Sequence, residues 1–98
     1  MRYEAKYSKH ALQALLRIAG EASGGNGRPV WDMILAILED PIRPTDLSGR
    51  FKYVHTQEHS LFWCSCAEMR VKVEYYIDSA DDKLTRFSTI YFRRVDEE

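Results

Sequence analysis

Cysteine is scarce in this chain of 98 residues: Cys64 and Cys66 are the only two. A disulfide between them would close a very small ring, so a stapled secreted scaffold is excluded and a reduced pair is expected. Proline occurs three times and glycine five times. That is too few for a fibrous or low-complexity chain. No apolar run approaches the roughly 20 residues that cross a bilayer as a helix. Met1 to His10 carries charges and no apolar h-region, so it does not read as a secretory signal. The expectation is a cytoplasmic domain with no membrane partner. Neither sign of charge dominates either. The 14 basic and 15 acidic residues leave a net charge of -1, which gives no global pull toward phosphate backbones.

What is present is a single domain's worth of apolar sequence, 45% hydrophobic and 30% charged, long enough for one modest core. Charge is unevenly spread. Arg2, Lys6, Lys9, Arg17 and Arg28 outweigh Glu4 and Glu21 in the first 30 residues, so the remainder is acidic. A basic patch near the N-terminus is compatible with that distribution.

The periodicity changes once along the chain. Arg2 to Tyr7 reads as a short strand with Tyr3, Ala5 and Tyr7 on one face. Ser8 is a helix N-cap. Ala11, Leu12, Leu15, Leu16, Ile18 and Ala19 then recur at helical spacing up to Gly20. Glu21 to Arg28, with three glycines, reads as a loop. Pro29 opens a second helix whose stripe is Val30, Trp31, Ile34, Leu35, Ile37 and Leu38, and Pro41 prevents its continuation. From Arg50 the period is two. Strands are expected at Phe51 to His55, Leu61 to Cys66, Arg70 to Ile77 and Leu84 to Phe92, with a polar turn at Asp78 to Lys83. Arg93 to Glu98 reads as a charged, frayed tail. Short links between successive strands argue an antiparallel meander covered on one face by the two helices. The fold class is therefore α+β: an N-terminal strand and a two-helix hairpin packed on a C-terminal β-meander.

Candidate chemistry concentrates in the sheet half. His55, His59, Cys64 and Cys66 offer the soft ligands of a zinc site, although Cys-x-Cys on a strand is also what two small buried residues look like. No other cofactor is indicated. His55 and His59 flank a hairpin connection and have the acid–base range of general catalysts. Aromatic residues stand near basic ones at Tyr53 and Lys52, Tyr76 and Lys72, and Tyr91 and Arg93, a combination that stacks nucleic-acid bases when exposed. Arg93 and Arg94 form the strongest basic spot of the acidic half.

The order strand, two helices, antiparallel sheet with a basic last strand resembles the RelE/ParE toxin superfamily. The matching pieces are Tyr3-Glu4-Ala5-Lys6-Tyr7-Ser8, Ile37-Leu38-Glu39-Asp40-Pro41, the turn Asp46-Leu47-Ser48-Gly49, the strand Arg70 to Asp78, and Ile90-Tyr91-Phe92-Arg93-Arg94. Gly49 to Arg70 is longer than the pattern and implies an extra hairpin. The resemblance implies a RelE-like fold and a toxin of a toxin–antitoxin system that cleaves mRNA on the ribosome. It implies Arg70 and Arg93 as phosphate ligands and His55, His59 or Tyr91 as the proton-transfer group; the aromatic–basic pairs and the Arg93-Arg94 spot add Lys52, Lys72 and Arg94 as expected nucleic-acid contacts. Its partners would be a cognate antitoxin and mRNA. Two other readings stay open: a non-catalytic inhibitor that binds a protein, and a small phage or immunity interaction module. An exposed sheet edge also offers a route to a homodimer or to a strand donated by an antitoxin.

Overall fold

The computed structural model describes residues 3–20, 27–78 and 89–97. The elements run β1 (Glu4–Tyr7), α1 (Lys9–Gly20), α2 (Gly27–Glu39), β2 (Tyr53–Glu58), β3 (Leu61–Cys66), β4 (Val71–Asp78) and β5 (Thr89–Glu97). They form one five-stranded sheet in the order β1-β5-β4-β3-β2. The meander β2 to β5 is antiparallel, as the short links suggested. β1 inserts beside β5 and runs parallel to it. The sheet is therefore mixed, and the chain's first strand is held by its last.

The junction of β1 and α1 follows from one serine. The Ser8 hydroxyl accepts the Ala11 N–H at 3.0 Å, which caps the helix. The same hydroxyl donates to the Arg93 carbonyl at 2.6 Å. The Ser8 N–H donates to the Phe92 carbonyl at 2.9 Å, carrying the parallel pairing one residue past β1.

Both helices lie on one face of the sheet. Ala11, Ala14, Leu15 and Ile18 of α1 join Val30, Met33, Ile34, Ile37 and Leu38 of α2 in the core. The sheet contributes Phe62, Cys64, Cys66, Val71, Val73, Tyr75, Ile90, Phe92 and Val95. Aromatic rings run in a chain along this face, from Phe62 to Tyr75 to Phe92 to Tyr7, with centroids 5.5, 5.8 and 5.3 Å apart, and Trp31 closes the row. Tyr75 is fully buried, and its hydroxyl donates to the Pro41 carbonyl at 2.6 Å. That bond satisfies the only polar atom of the ring and ties the turn after α2 to the middle of the sheet.

Asp46 is buried and organises the turn that leads into the sheet. Its carboxylate accepts the amides of Ser48, Arg50 and Phe51 and the Ser48 hydroxyl. Gly49 in this turn has a φ of +72°, a conformation that favours glycine. Burial by itself pushes the Asp46 carboxyl up. The Ser48 hydroxyl and the three amides outweigh it and hold the group below its ordinary value.

Several boundaries differ from those the sequence suggests. α2 begins at Gly27, so Pro29 sits inside the first turn rather than opening it. β2 runs on to Glu58, through residues expected to form a polar connection. Arg93–Glu97 continues β5 and is not a frayed tail, because Val95 is buried and Arg17 of α1 donates to Glu97 at 2.7 Å. Residues 79–83 of the expected turn and 84–88 of the expected strand lie outside the described residues, as do 21–26 of the glycine-rich loop. No helix among the described residues is long and apolar enough to cross a membrane.

Two outcomes follow. Ser8→Ala removes the cap and the partner of the Arg93 carbonyl together, and is expected to cost about 1–3 kcal/mol in urea unfolding. Because the Asp46 carboxyl is depressed in the folded state, its contribution is complete above the unfolded value of 3.8 and lost as pH falls through the lower folded value. Melting temperature should drop on acidification below that point, and Asp46→Asn should melt lower at neutral pH and respond less to acid.

Candidate functional site on the open sheet face

Among the described residues the helices leave the other sheet face uncovered, and beside a short row of Glu4, Thr89 and Asp78 three longer rows of side chains cross it. Lys6, Tyr91, Tyr76, Leu61 and Glu58 stand in register across all five strands. The next row holds Arg94, Glu74, Trp63 and Thr56, and the third holds Asp96, Lys72, Ser65 and Val54.

The central row is shaped by a β-bulge. Tyr75 pairs with Phe92 and Glu74 with Arg94, so Arg93 is an extra residue in β5. A regular strand would alternate Arg94 into the core and Val95 out to solvent. The added residue reverses this: Val95 is buried, and Arg93 and Arg94 are both exposed on the open face. The carbonyl of the bulged residue is the one taken by Ser8.

Glu74 sits at the centre of the arrangement. It accepts the indole N–H of Trp63 at 3.1 Å and lies 3.8 Å from Arg93 Nε. Lys72 Nζ stands 6.0 Å over the Trp63 ring. Tyr76 and Tyr91 lean on each other with centroids 5.2 Å apart. Arg94 pairs with Asp96 at 3.5 Å. A shallow groove of about 620 Å³ follows these groups and is lined by Glu58, His59, Leu61, Trp63, Tyr76 and Arg93 among others. A smaller groove of about 280 Å³ lies on the far side of Trp63, beside Lys72 and Thr56. Trp63 is thus the ridge between two depressions, one containing a guanidinium and an imidazole.

The sequence-derived candidates divide between the two faces. Arg93, Arg94, Lys72, Tyr91 and His59 are brought together on or beside the open face. His55 is on the helix side, opposite Cys64, with its ring 5.5 Å from Phe62 and its Nε2 buried without a partner among the described residues. Tyr53 points the same way, so the pairing with Lys52 suggested by adjacency does not form: neighbours along a strand face opposite sides. Lys52 is exposed just before β2. Arg70 is exposed in the β3–β4 turn, immediately before the start of β4, and does not line the groove. Trp63, Glu74 and Ser8 escaped notice as site residues, although the alternation of Trp63 against buried Phe62 and Cys64 carries the signal.

The zinc alternative is not supported. Cys64 and Cys66 are buried in the core, while His59 occupies the hairpin tip. Among the described residues no group of three or more His, Cys, Asp or Glu side chains could hold a metal ion. Burial, and then the neighbouring Cys66, pushes the Cys64 thiol up to about 12, which suppresses the thiolate that metals and electrophiles need. Cys66 instead donates to Glu68 at 3.2 Å.

Two candidates carry backbone strain. His59 has a φ of 56° and Arg70 a φ of 57°, a region that side chains with a Cβ adopt at a cost. His59 is the first residue of the two-residue β2–β3 turn, where such a φ favours glycine. His59→Gly is therefore expected to raise stability by up to about 1 kcal/mol in chemical unfolding, as is Arg70→Gly. Native protein should react with a thiol reagent only after unfolding, releasing both Cys64 and Cys66 together. No protein-family model matches the chain, and neither does any curated protein or solved structure.

Proposed function

We propose that this protein is a toxin-like RNA-binding protein of the RelE/ParE kind, acting through the open sheet face. The observation that carries this reading is the bulge at Arg93, which leaves two consecutive arginines exposed on the face that holds Trp63, Tyr76 and Tyr91. Arginine forks suit phosphate oxygens, and exposed rings stack unpaired bases. The order of elements, strand–helix–helix–meander with an added hairpin, supports the RelE-like resemblance at the level of the fold.

In the catalytic form of the proposal, an mRNA strand lies along the groove with a phosphate on Arg93. A ribose 2′-hydroxyl attacks the adjacent phosphorus, a group on the protein takes its proton, and the 5′-oxygen leaves protonated. His59 and Tyr91 are on the correct face for that transfer, whereas His55 is behind the sheet. A cognate antitoxin would be expected to cover this face.

A second reading has its own support. Glu4, Glu58, Glu74 and Asp96 interleave with Lys6, Lys72, Arg93 and Arg94, so the face is charge-balanced and already holds internal ion pairs. A face of this kind suits a protein target as well as RNA, and a non-catalytic inhibitor would use it without cleaving anything.

Binding of labelled single-stranded RNA by fluorescence anisotropy separates the two. The RNA reading expects affinity that falls with salt, and Arg93→Ala should weaken it about tenfold and lower the salt slope by about one. Trp63→Ala should cost about 1–3 kcal/mol of stacking at any salt. Cleavage of mRNA that His59→Ala abolishes would favour the enzyme. Absence of RNA binding at low salt, with growth arrest retained, would favour the protein-directed inhibitor.

A further inference from the structure

Among the described residues β2 is the free margin of the sheet, with a neighbour on one side only. Sheets usually blunt such an edge with proline, lysine, a bulge, brevity or a covering helix. The strand Tyr53–Glu58 has no proline, lysine or bulge and stays in register with β3 along its whole length. Val54 on it is 60% exposed. The opposite margin is better protected: β1 has four residues, and the N–H of Tyr3 before it donates to the Leu38 carbonyl at 2.9 Å. Among the described residues, the only buried side-chain polar atoms without partners are Tyr53 Oη and His55 Nε2, and both belong to β2.

The direction of the unused backbone groups follows from the hairpin. A two-residue turn closes on a pair that exchanges both backbone hydrogen bonds, here Glu58 and Leu61. Glu58, Thr56 and Val54 therefore direct their N–H and C=O toward β3. Tyr53, His55 and Gln57 direct theirs outward. An added strand must pair with those three and keep like faces together.

A second copy of β2 meets both conditions. In an antiparallel pairing of identical strands, matching faces requires the two-fold axis to pass through a residue. With the axis at His55, Tyr53 meets Gln57 and His55 meets itself, so every outward group is used in roughly six hydrogen bonds. The same register sets Lys52 opposite Glu58 at both ends and Val54 opposite Thr56, all on the open face. Moving the axis to Thr56 loses this: Glu58 then faces Val54, and Lys52 faces Ser60. We propose that the chain forms a two-fold dimer through β2, in the His55-centred register, joining two five-stranded sheets into one.

Sedimentation velocity tests it. The mass should rise from 11.5 kDa toward twice that value with loading, over a range of about 5 to 200 μM suited to a small interface. Gln57→Pro removes an outward N–H and no backbone bond of the hairpin, losing there only the donation of Gln57 Nε2 to the His59 carbonyl, so it should stay folded by circular dichroism and remain monomeric. Lys52→Glu and Glu58→Lys each place like charges opposite one another and should each raise the dimer Kd at least about tenfold. The double swap should restore it. Wild-type protein monomeric throughout the range would overturn the proposal, even if it captured a foreign extended strand. So would a dimer indifferent to Gln57→Pro, or single charge variants no weaker than wild type. Should Gln57→Pro fail to fold, the charge-swap series decides alone.

Discussion

The Ser8 hydroxyl is the point on which the rest of the structure turns. It accepts from the first turn of α1 and donates to the bulged residue of β5. A bulge leaves a backbone group without its ladder partner. Here the cap of a helix supplies the missing donor. The helix, the parallel strand and the bulge are therefore one unit. Remove the bulge, and Val95 leaves the core while Arg94 enters it. The exposed arginine pair is thus a by-product of satisfying the core.

The helix-side face and the open face solve different problems with the same strands. On the helix side the rings form a packed row, and the buried Tyr75 hydroxyl is bonded to the Pro41 carbonyl. On the open face rings and charges alternate, with Glu74 restraining both Trp63 and Arg93. That restraint matters for recognition. A guanidinium held at 3.8 Å from a carboxylate is pre-oriented but must exchange partners to grip a phosphate, so binding strength depends on what the newcomer offers in return.

Much of this was legible in the sequence. The helical stripe from Ala11 to Ile18 and the period-two run Val71, Val73, Tyr75 fixed the layers, and Leu61–Cys66 matched its strand at both ends. Ser8 read as a cap from its residue type alone. The parallel seat of β1 did not show, because a four-residue strand carries no mark of its partner's direction. The extent of β5 was hidden by charge: Arg93-Arg94 reads as the end of a strand unless the spacing of Phe92 and Val95, three apart, is taken as the trace of a bulge. The candidate site divided for a related reason. Adjacency in sequence placed Tyr53 with Lys52, but strand alternation puts neighbours on opposite sides, and His55 parts from His59 because β2 ends at Glu58 and His59 belongs to the turn. Turn strain at His59 and Arg70 has no composition signal at all.

The pairing of Glu4 with Thr89 has a consequence for how the molecule comes into being. β1 leaves the ribosome before β5 and can find its place only after β5 has followed. α1 emerges early but lacks the strand it packs on, and Arg93 and Arg94 arrive with that strand. The growing chain therefore holds an incomplete core and no assembled binding face until β5 has been made. Contacts of such long sequence separation also slow the final closure. Whatever the open face recognises, it becomes available in one late step, as a finished surface.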